Sequence, residues 1–198
     1  MHFKPAAAAL SLLVPSAVAL ADTLWNELSQ GDLSDDRLAP TALQLVDGDN
    51  VLFGALEGSR PLGGIDRDYF SLTVPAGLRL ASMILDLYDS PDQTAFVAIQ
   101  PGSIFPNEPD NVGPNDLMGW AHFGPTDVAQ DLFPKMSSNG YGFIAPLPAG
   151  TYTLWAQQLD DYTSWNAIFV VTPVPAPAPL AALACWACAI AGRTRRAR

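Results

Sequence analysis

Apolar and polar residues alternate with a period of two through much of the chain. Phe70, Leu72 and Val74 alternate with Tyr69, Ser71 and Thr73, and Pro75-Ala76-Gly77 then turns the chain. Side chains on a strand point to its two faces in turn, so this pattern predicts a half-buried β-strand. Leu78 to Tyr88 predicts a long second strand with Leu78, Leu80, Ser82 and Ile84 on one face. Thr94 to Gln100 is a third, closed by Pro101-Gly102. Gly150 to Gln158, with Tyr152, Leu154 and Ala156 alternating, is a fourth, and Trp165 to Thr172 a fifth. Earlier, Thr41 to Val46 and Asn50 to Leu56 flank Asp47-Gly48-Asp49, a composition that suits a hairpin turn. Short strands punctuated by Gly, Pro and Asp predict an all-β fold, an antiparallel, jelly-roll-like β-sandwich.

Two stretches break the alternation. Asp22 to Leu38 has a poor amphipathic signal and room for one short helix. Pro101 to Gly140 is interrupted by Pro101, Pro106, Pro109, Pro114, Pro125 and Pro134, which predicts a long irregular insert with a short helix near Asp127 to Phe133. An ordered loop of that length is commonly functional or braced by a metal.

The two ends are patterned differently. His2 and Lys4 precede an apolar run from Ala6 to Leu20, and Ala19 and Ala21 put small residues where a signal peptidase reads. The expectation is a signal peptide over residues 1–21, cleaved before Asp22. At the other end, Pro173, Pro175, Pro177 and Pro179 alternate with Val and Ala, which makes residues 173–179 a stiff spacer. Leu180 to Ala191 carries no charge, Gly192 ends it, and Arg193, Arg195, Arg196 and Arg198 close the chain. This order reads as a membrane segment over residues 180–192 with a basic cytoplasmic tail over 193–198. The twelve apolar residues rise only about 18 Å as a helix, against a hydrocarbon core of roughly 30 Å. The spacer and the snorkelling arginines supply the remainder.

Composition sharpens the picture of the part between, residues 22–172, whose length suits one domain. All 20 acidic residues lie there, with only Arg37, Arg60, Arg67, Arg79 and Lys135 against them, so its formal charge is near −15. Such a surface excludes nucleic acid and anionic lipid as natural partners and favours divalent cations, basic partners or a salty medium. The segment has no cysteine, so it must fold without disulfides although export would permit them. Cys185 and Cys188 sit in the apolar tail, where they read as packing residues.

Two sets of motifs resemble known families. Val174-Pro175-Ala176-Pro177-Ala178-Pro179, an apolar stretch and Arg193 to Arg198 together resemble the three-part tail of PEP-CTERM proteins, in the variant where Val-Pro-x-Pro-Ala replaces Pro-Glu-Pro. The resemblance implies recognition of Val174, Pro175, Ala176, Pro177 and Ala178 by an exosortase, a membrane transpeptidase-like enzyme, with release to the cell surface or matrix. Gly54-Ala55-Leu56, the run Asp66 to Gly77 and Leu147-Pro148-Ala149-Gly150-Thr151-Tyr152 resemble the opening and closing strands of bacterial pre-peptidase C-terminal domains. Those are small β-sandwich modules of secreted proteins, often accessory to catalysis and sometimes calcium-binding. The insert over 101–140 departs from that compact module.

Calcium is the best-supported chemistry. Asp66 and Asp68 share one strand face where a loop enters a strand. Asp86, Asp89 and Asp92 surround a turn, and Asp47 and Asp49 flank Gly48. Calcium takes six to eight oxygens, which loop carboxylates and carbonyls supply, although Asp is also an ordinary turn residue. Catalysis is poorly supported: His122 is the one histidine after residue 21, and no G-x-S-x-G elbow is present. Tyr141, Trp155, Tyr162 and Trp165 could stack on sugars, with Trp155 and Trp165 better suited to the core. The sequence therefore predicts a non-enzymatic exported protein with a structural or adhesive role, its alternatives being a carbohydrate- or calcium-binding accessory module and a secreted hydrolase. Its expected partners are an exosortase-type enzyme, the membrane through the C-terminal segment, and extracellular polysaccharide.

Overall fold

The computed structural model describes residues 21–59 and 64–176. Ala19, the rest of the expected signal peptide up to residue 20, Pro177, Ala178, the membrane segment and the arginine tail lie outside the described residues. Among the described residues no helix is long and apolar enough to cross a membrane.

Among the described residues, nine strands form two sheets. They are β1 (Asp22–Asn26), β2 (Thr41–Gln44), β3 (Gly48–Leu56), β4 (Arg67–Val74), β5 (Leu78–Asp89), β6 (Ala95–Pro101), β7 (Gly119–Phe123), β8 (Gly150–Gln157) and β9 (Thr163–Pro173). One sheet has the order β1-β3-β9-β5 and the other β2-β4-β8-β6-β7. Pairing is antiparallel except at β1 with β3 and β2 with β4, which run parallel. The expected all-β sandwich is therefore present, with mixed rather than purely antiparallel sheets.

The sheets close on the inward residues of each strand. Phe70 and Leu72 of β4 face Trp165 and Phe169 of β9, and all four are fully buried. Phe70 lies 6.5 Å from the Trp165 ring and 6.2 Å from Phe169, and Phe123 of β7 lies 5.7 Å from Trp165. Gly54 makes room for this tryptophan: a Cβ there would sit 2.6 Å from Trp165 Nε1.

Three expectations are corrected. The predicted hairpin around Asp47-Gly48-Asp49 does not form, because β2 joins the five-stranded sheet and β3 the other. The segment is a crossover between layers. Asn50 holds it by donating from Nδ2 to the carbonyls of Val46, Gly48 and Phe169 and accepting from Val46 N–H. In β5 the expected inward set fails after Leu80. Register shifts between Leu80 and Ser82 and between Leu85 and Leu87 change the phase, so Met83, Leu85 and Tyr88 are buried and Ser82 and Ile84 are not. Finally, the short helix expected near Asp127 to Phe133 lies at Phe133–Ser137 (α2).

The irregular insert is braced by side chains. Phe105 and Leu117 pack with Tyr69, Ala98 and Trp155 on the outer face of the five-stranded sheet. Gln100, 4% exposed, donates to Asn107 Oδ1 at 2.6 Å and to the Asp116 carbonyl at 2.8 Å, and accepts from Met118 N–H at 3.1 Å. The insert also contributes strand β7, unanticipated because Gly119 to Phe123 is short and flanked by loops.

Candidate cation site in an acidic cleft

The site begins with the phase of β4. Its inward residues are Phe70, Leu72 and Val74, and the same alternation carried back by two places the Asp68 side chain on the core side. Asp68 is 0% exposed, and among the described residues neither of its carboxylate oxygens has a hydrogen-bond partner. Its neighbour Arg67 faces the other way, where it donates to Asp110 at 2.7 Å and to Gln157 at 3.2 Å. The adjacent guanidinium therefore does not compensate Asp68.

Acidic residues compensate it still less. The chain after β1 makes a single turn of helix, α1 (Glu27–Gln30), capped by the Asn26 side chain accepting from Leu28 N–H. This turn aims Glu27 back at the sandwich, where its carboxylate accepts from the N–H groups of Leu33 and Ala55. The chain then returns past Asp32 and Asp35 and bridges to β4 through Tyr69 N–H to Ser34 C=O, 2.8 Å. Asp66 is fixed from the third side, its carboxylate accepting from Glu57 N–H at 3.0 Å. One oxygen from each of Glu27, Asp32 and Asp68 lies within 4.8 Å of the others, and the same holds for Asp32, Asp35 and Asp66.

Burial grades across the cluster from the fully buried Asp68, through the half-buried Glu27 and Asp66, to the exposed Asp32 and Asp35. The exposed side opens into a cleft of about 1140 Å³. Burial, then the negative charges of Glu27, Asp66, Asp32 and Asp35, push the Asp68 carboxyl up to about 10. Burial raises Glu27 to about 7 against the opposing pull of its two backbone N–H bonds. Asp66 rises to about 6 by burial and its acidic neighbours, and Asp32 moves up for the same reasons. Each shift says that charge is disfavoured here unless something positive enters.

Both expected ligands, Asp66 and Asp68, therefore belong to one cluster, split between two triads that share Asp32. Glu27, Asp32 and Asp35 were not anticipated. Among the described residues, Asp47 and Asp49 join no such group, and neither do Asp86, Asp89 and Asp92. Other sequence candidates also find their places. Trp155 and Trp165 are buried, whereas Tyr141 and Tyr162 stay exposed, Tyr162 at the cleft. His122 is exposed on β7, its ring edge-on to Phe96 and Trp120. Val174, Pro175 and Ala176 form an exposed extension directly after β9, tied at its start by Val174 N–H to Gly77 C=O, 2.8 Å.

No protein-family model matches the chain, and no curated protein or solved structure shows significant similarity to it.

The raised carboxyls fix how stability without a cation depends on pH. A carboxyl whose folded pKa lies above its unfolded value binds its proton more tightly when folded. Its stabilisation is complete below about pH 4 and is lost as pH rises through the folded values. In EDTA, the melting temperature is expected to fall from pH 5 to pH 8, across the values near 6 and 7 for Asp66 and Glu27 and on the approach to that of Asp68. Asp68→Asn removes the largest contributor. It is expected to raise the melting point in EDTA at pH 8, because the amide is neutral at every pH whereas Asp68 must take up a proton on folding far above its unfolded pKa. A variant that melts lower than the parent at pH 8 would contradict this electrostatic picture.

Proposed function

We propose that this protein is an exported module of the cell surface or extracellular matrix whose β-sandwich binds a divalent cation, calcium by its chemistry, in the carboxylate cleft. Its role on this reading is structural or adhesive and not catalytic. The observation that carries the cation reading is Asp68: a fully buried carboxylate with no hydrogen-bond partner among the described residues, facing Glu27 and Asp32. A buried polar group without a partner is costly, and a cation coordinated by three carboxylates removes that cost and the repulsion among them together. Calcium fits better than magnesium. It accepts an irregular set of six to eight oxygens, whereas magnesium holds to a strict octahedron and keeps its waters.

Export and sorting rest on the chain ends. Ala19 and Ala21 support cleavage before Asp22, and the run from Val174 to Arg198 supports sorting by an exosortase-type enzyme after transient anchoring in the inner membrane. The exposed position of Val174, Pro175 and Ala176 after β9 is compatible with access by such an enzyme. The likeness to pre-peptidase C-terminal modules and to a jelly-roll arrangement belongs to the same reading, as does an extracellular polysaccharide partner.

Two measurements test it. Calorimetric titration with calcium is expected to show binding that magnesium at equal ionic strength does not match, and that Asp68→Asn and Asp66→Asn each weaken strongly. A hundredfold excess over Kd would stabilise the fold by about 2.7 kcal/mol. Because a proton leaves Asp68 on binding, and near neutrality part of another leaves Glu27, affinity should rise by roughly tenfold or more per pH unit there. If calcium, magnesium and sodium act alike, the effect is screening of an acidic surface and the cation reading fails. Separately, mass spectrometry of the exported product is expected to find Asp22 first and no arginine tail. An intact chain from Met1 to Arg198 outside the cell would contradict the sorting reading.

A further inference from the structure

The cleft reaches well beyond the carboxylates. Its floor is the outer face of the four-stranded sheet, where strand register sets two short rows. Phe53 of β3, Asn166 of β9 and Leu87 of β5 are cross-strand neighbours, and so are Ala55, Ser164 and Asp89. Ala55 is the residue whose N–H binds Glu27, so the second row starts at the carboxylate cluster. Ser164 lies one strand further on, and neighbouring strands are about 4.8 Å apart. Tyr162, 49% exposed, stands at the cleft just before β9.

Three features of this floor point to a ligand rich in hydroxyls. Asn166 and Ser164 are half-buried, and neither side chain makes a hydrogen bond among the described residues. They offer an amide and a hydroxyl, groups that bind hydroxyls in either direction. Tyr162 and Phe53 supply ring surface against which the apolar face of a sugar can pack. The cation, finally, would be incompletely enclosed: Asp68 and Glu27 cover its inner side, while the exposed Asp32 and Asp35 leave the cleft side open. With one oxygen from each carboxylate, the triad supplies three of the six to eight oxygens calcium takes, which leaves places for oxygens of water or ligand.

Charge decides which hydroxyl ligand. Glu27, Asp32, Asp35, Glu57 and Asp66 line the cleft with Asp68 buried beside Glu27 and Asp32, and among the described residues Arg67 is the basic residue of the lining, engaged by Asp110. One divalent cation leaves the wall net negative, which disfavours uronic-acid or sulfated chains. We propose that the cleft is a calcium-dependent site for neutral polysaccharide, in which neighbouring hydroxyls of one sugar complete the cation's coordination while the ring lies over Ser164 and Asn166 beside Tyr162. This rests on the cation reading above. It also requires the buried Asp68, which has no hydrogen-bond partner among the described residues, since an acidic cluster alone specifies no ion.

The test is binding of the protein to an array of neutral and uronic-acid oligosaccharides, in calcium and in EDTA, with calcium affinity measured in parallel by calorimetry. Neutral glycans are expected to bind in calcium, with at least a tenfold loss of signal in EDTA. Asn166→Ala and Tyr162→Ala are each expected to reduce the glycan signal severalfold while leaving calcium affinity within about twofold of the parent, which separates the sugar floor from the metal ligands. If calcium binds by calorimetry and no neutral glycan is retained, the polysaccharide inference is wrong and the cation reading stands. Preference for uronic-acid chains, or equal signal in EDTA, likewise overturns the inference. If no calcium binds, both readings fall together.

Discussion

The Asp68 carboxyl is the constraint around which the acidic end of this molecule is organised. A strand that packs Phe70, Leu72 and Val74 inward cannot point Asp68 anywhere else without changing the face of all three. The core therefore holds the acid in place, and among the described residues the acid has no hydrogen-bond partner. Everything near it deepens the problem. Glu27 is turned back toward it by a capped helical turn, Asp66 is fixed by Glu57 N–H, and Arg67 is committed to the opposite face. A fold that brings carboxylates together from residues 27–35 and 66–68, and turns the neighbouring base away, is consistent with coordination of a cation and hard to account for by stability alone.

The cluster also joins parts of the chain that otherwise share few contacts. Strand β1 adds to the edge of one sheet through a short parallel pairing with β3, while β4 sits in the other sheet. Glu27 reaches Ala55 of β3, and Ser34 reaches Tyr69 of β4, so the segment between them spans both layers at one end of the sandwich. A cation shared by Glu27, Asp32 and Asp68 would fasten that segment across the two layers. In a protein without cysteine in residues 22–172, such a tie would occupy the place of a disulfide.

The strands were legible where alternation is strong, and their partners were not. β4, β6, β8 and β9 lie within a residue or two of their sequence-predicted bounds, because apolar residues on every second position leave one way to bury a face. The phase of β5 was lost to two register shifts, which leave no mark in composition. The crossover at Asp47 to Asp49 has the same residues as a hairpin turn, and only the Asn50 side-chain bonds and the pairing of β2 with β4 distinguish them. Within the site, Asp66 and Asp68 could be read from their spacing. The inward phase of Asp68 was also readable, by extending the Phe70, Leu72, Val74 alternation back one step. Glu27, Asp32 and Asp35 could not, because their approach depends on one helical turn and a bridge from Ser34 to Tyr69, both tertiary facts.

The central claim is that Asp68 is a buried acid held neutral until a cation arrives. Carboxyl-carbon NMR of the protein labelled at aspartate, followed against pH with and without calcium, observes this directly. The account predicts that in EDTA the Asp68 signal stays in its protonated position through pH 7 and beyond, in line with a pKa raised to about 10. On adding calcium at neutral pH, it should move to the ionised position. An Asp68 signal that titrates near pH 4 in EDTA, as an ordinary aspartate does, or that calcium leaves unmoved, would contradict it.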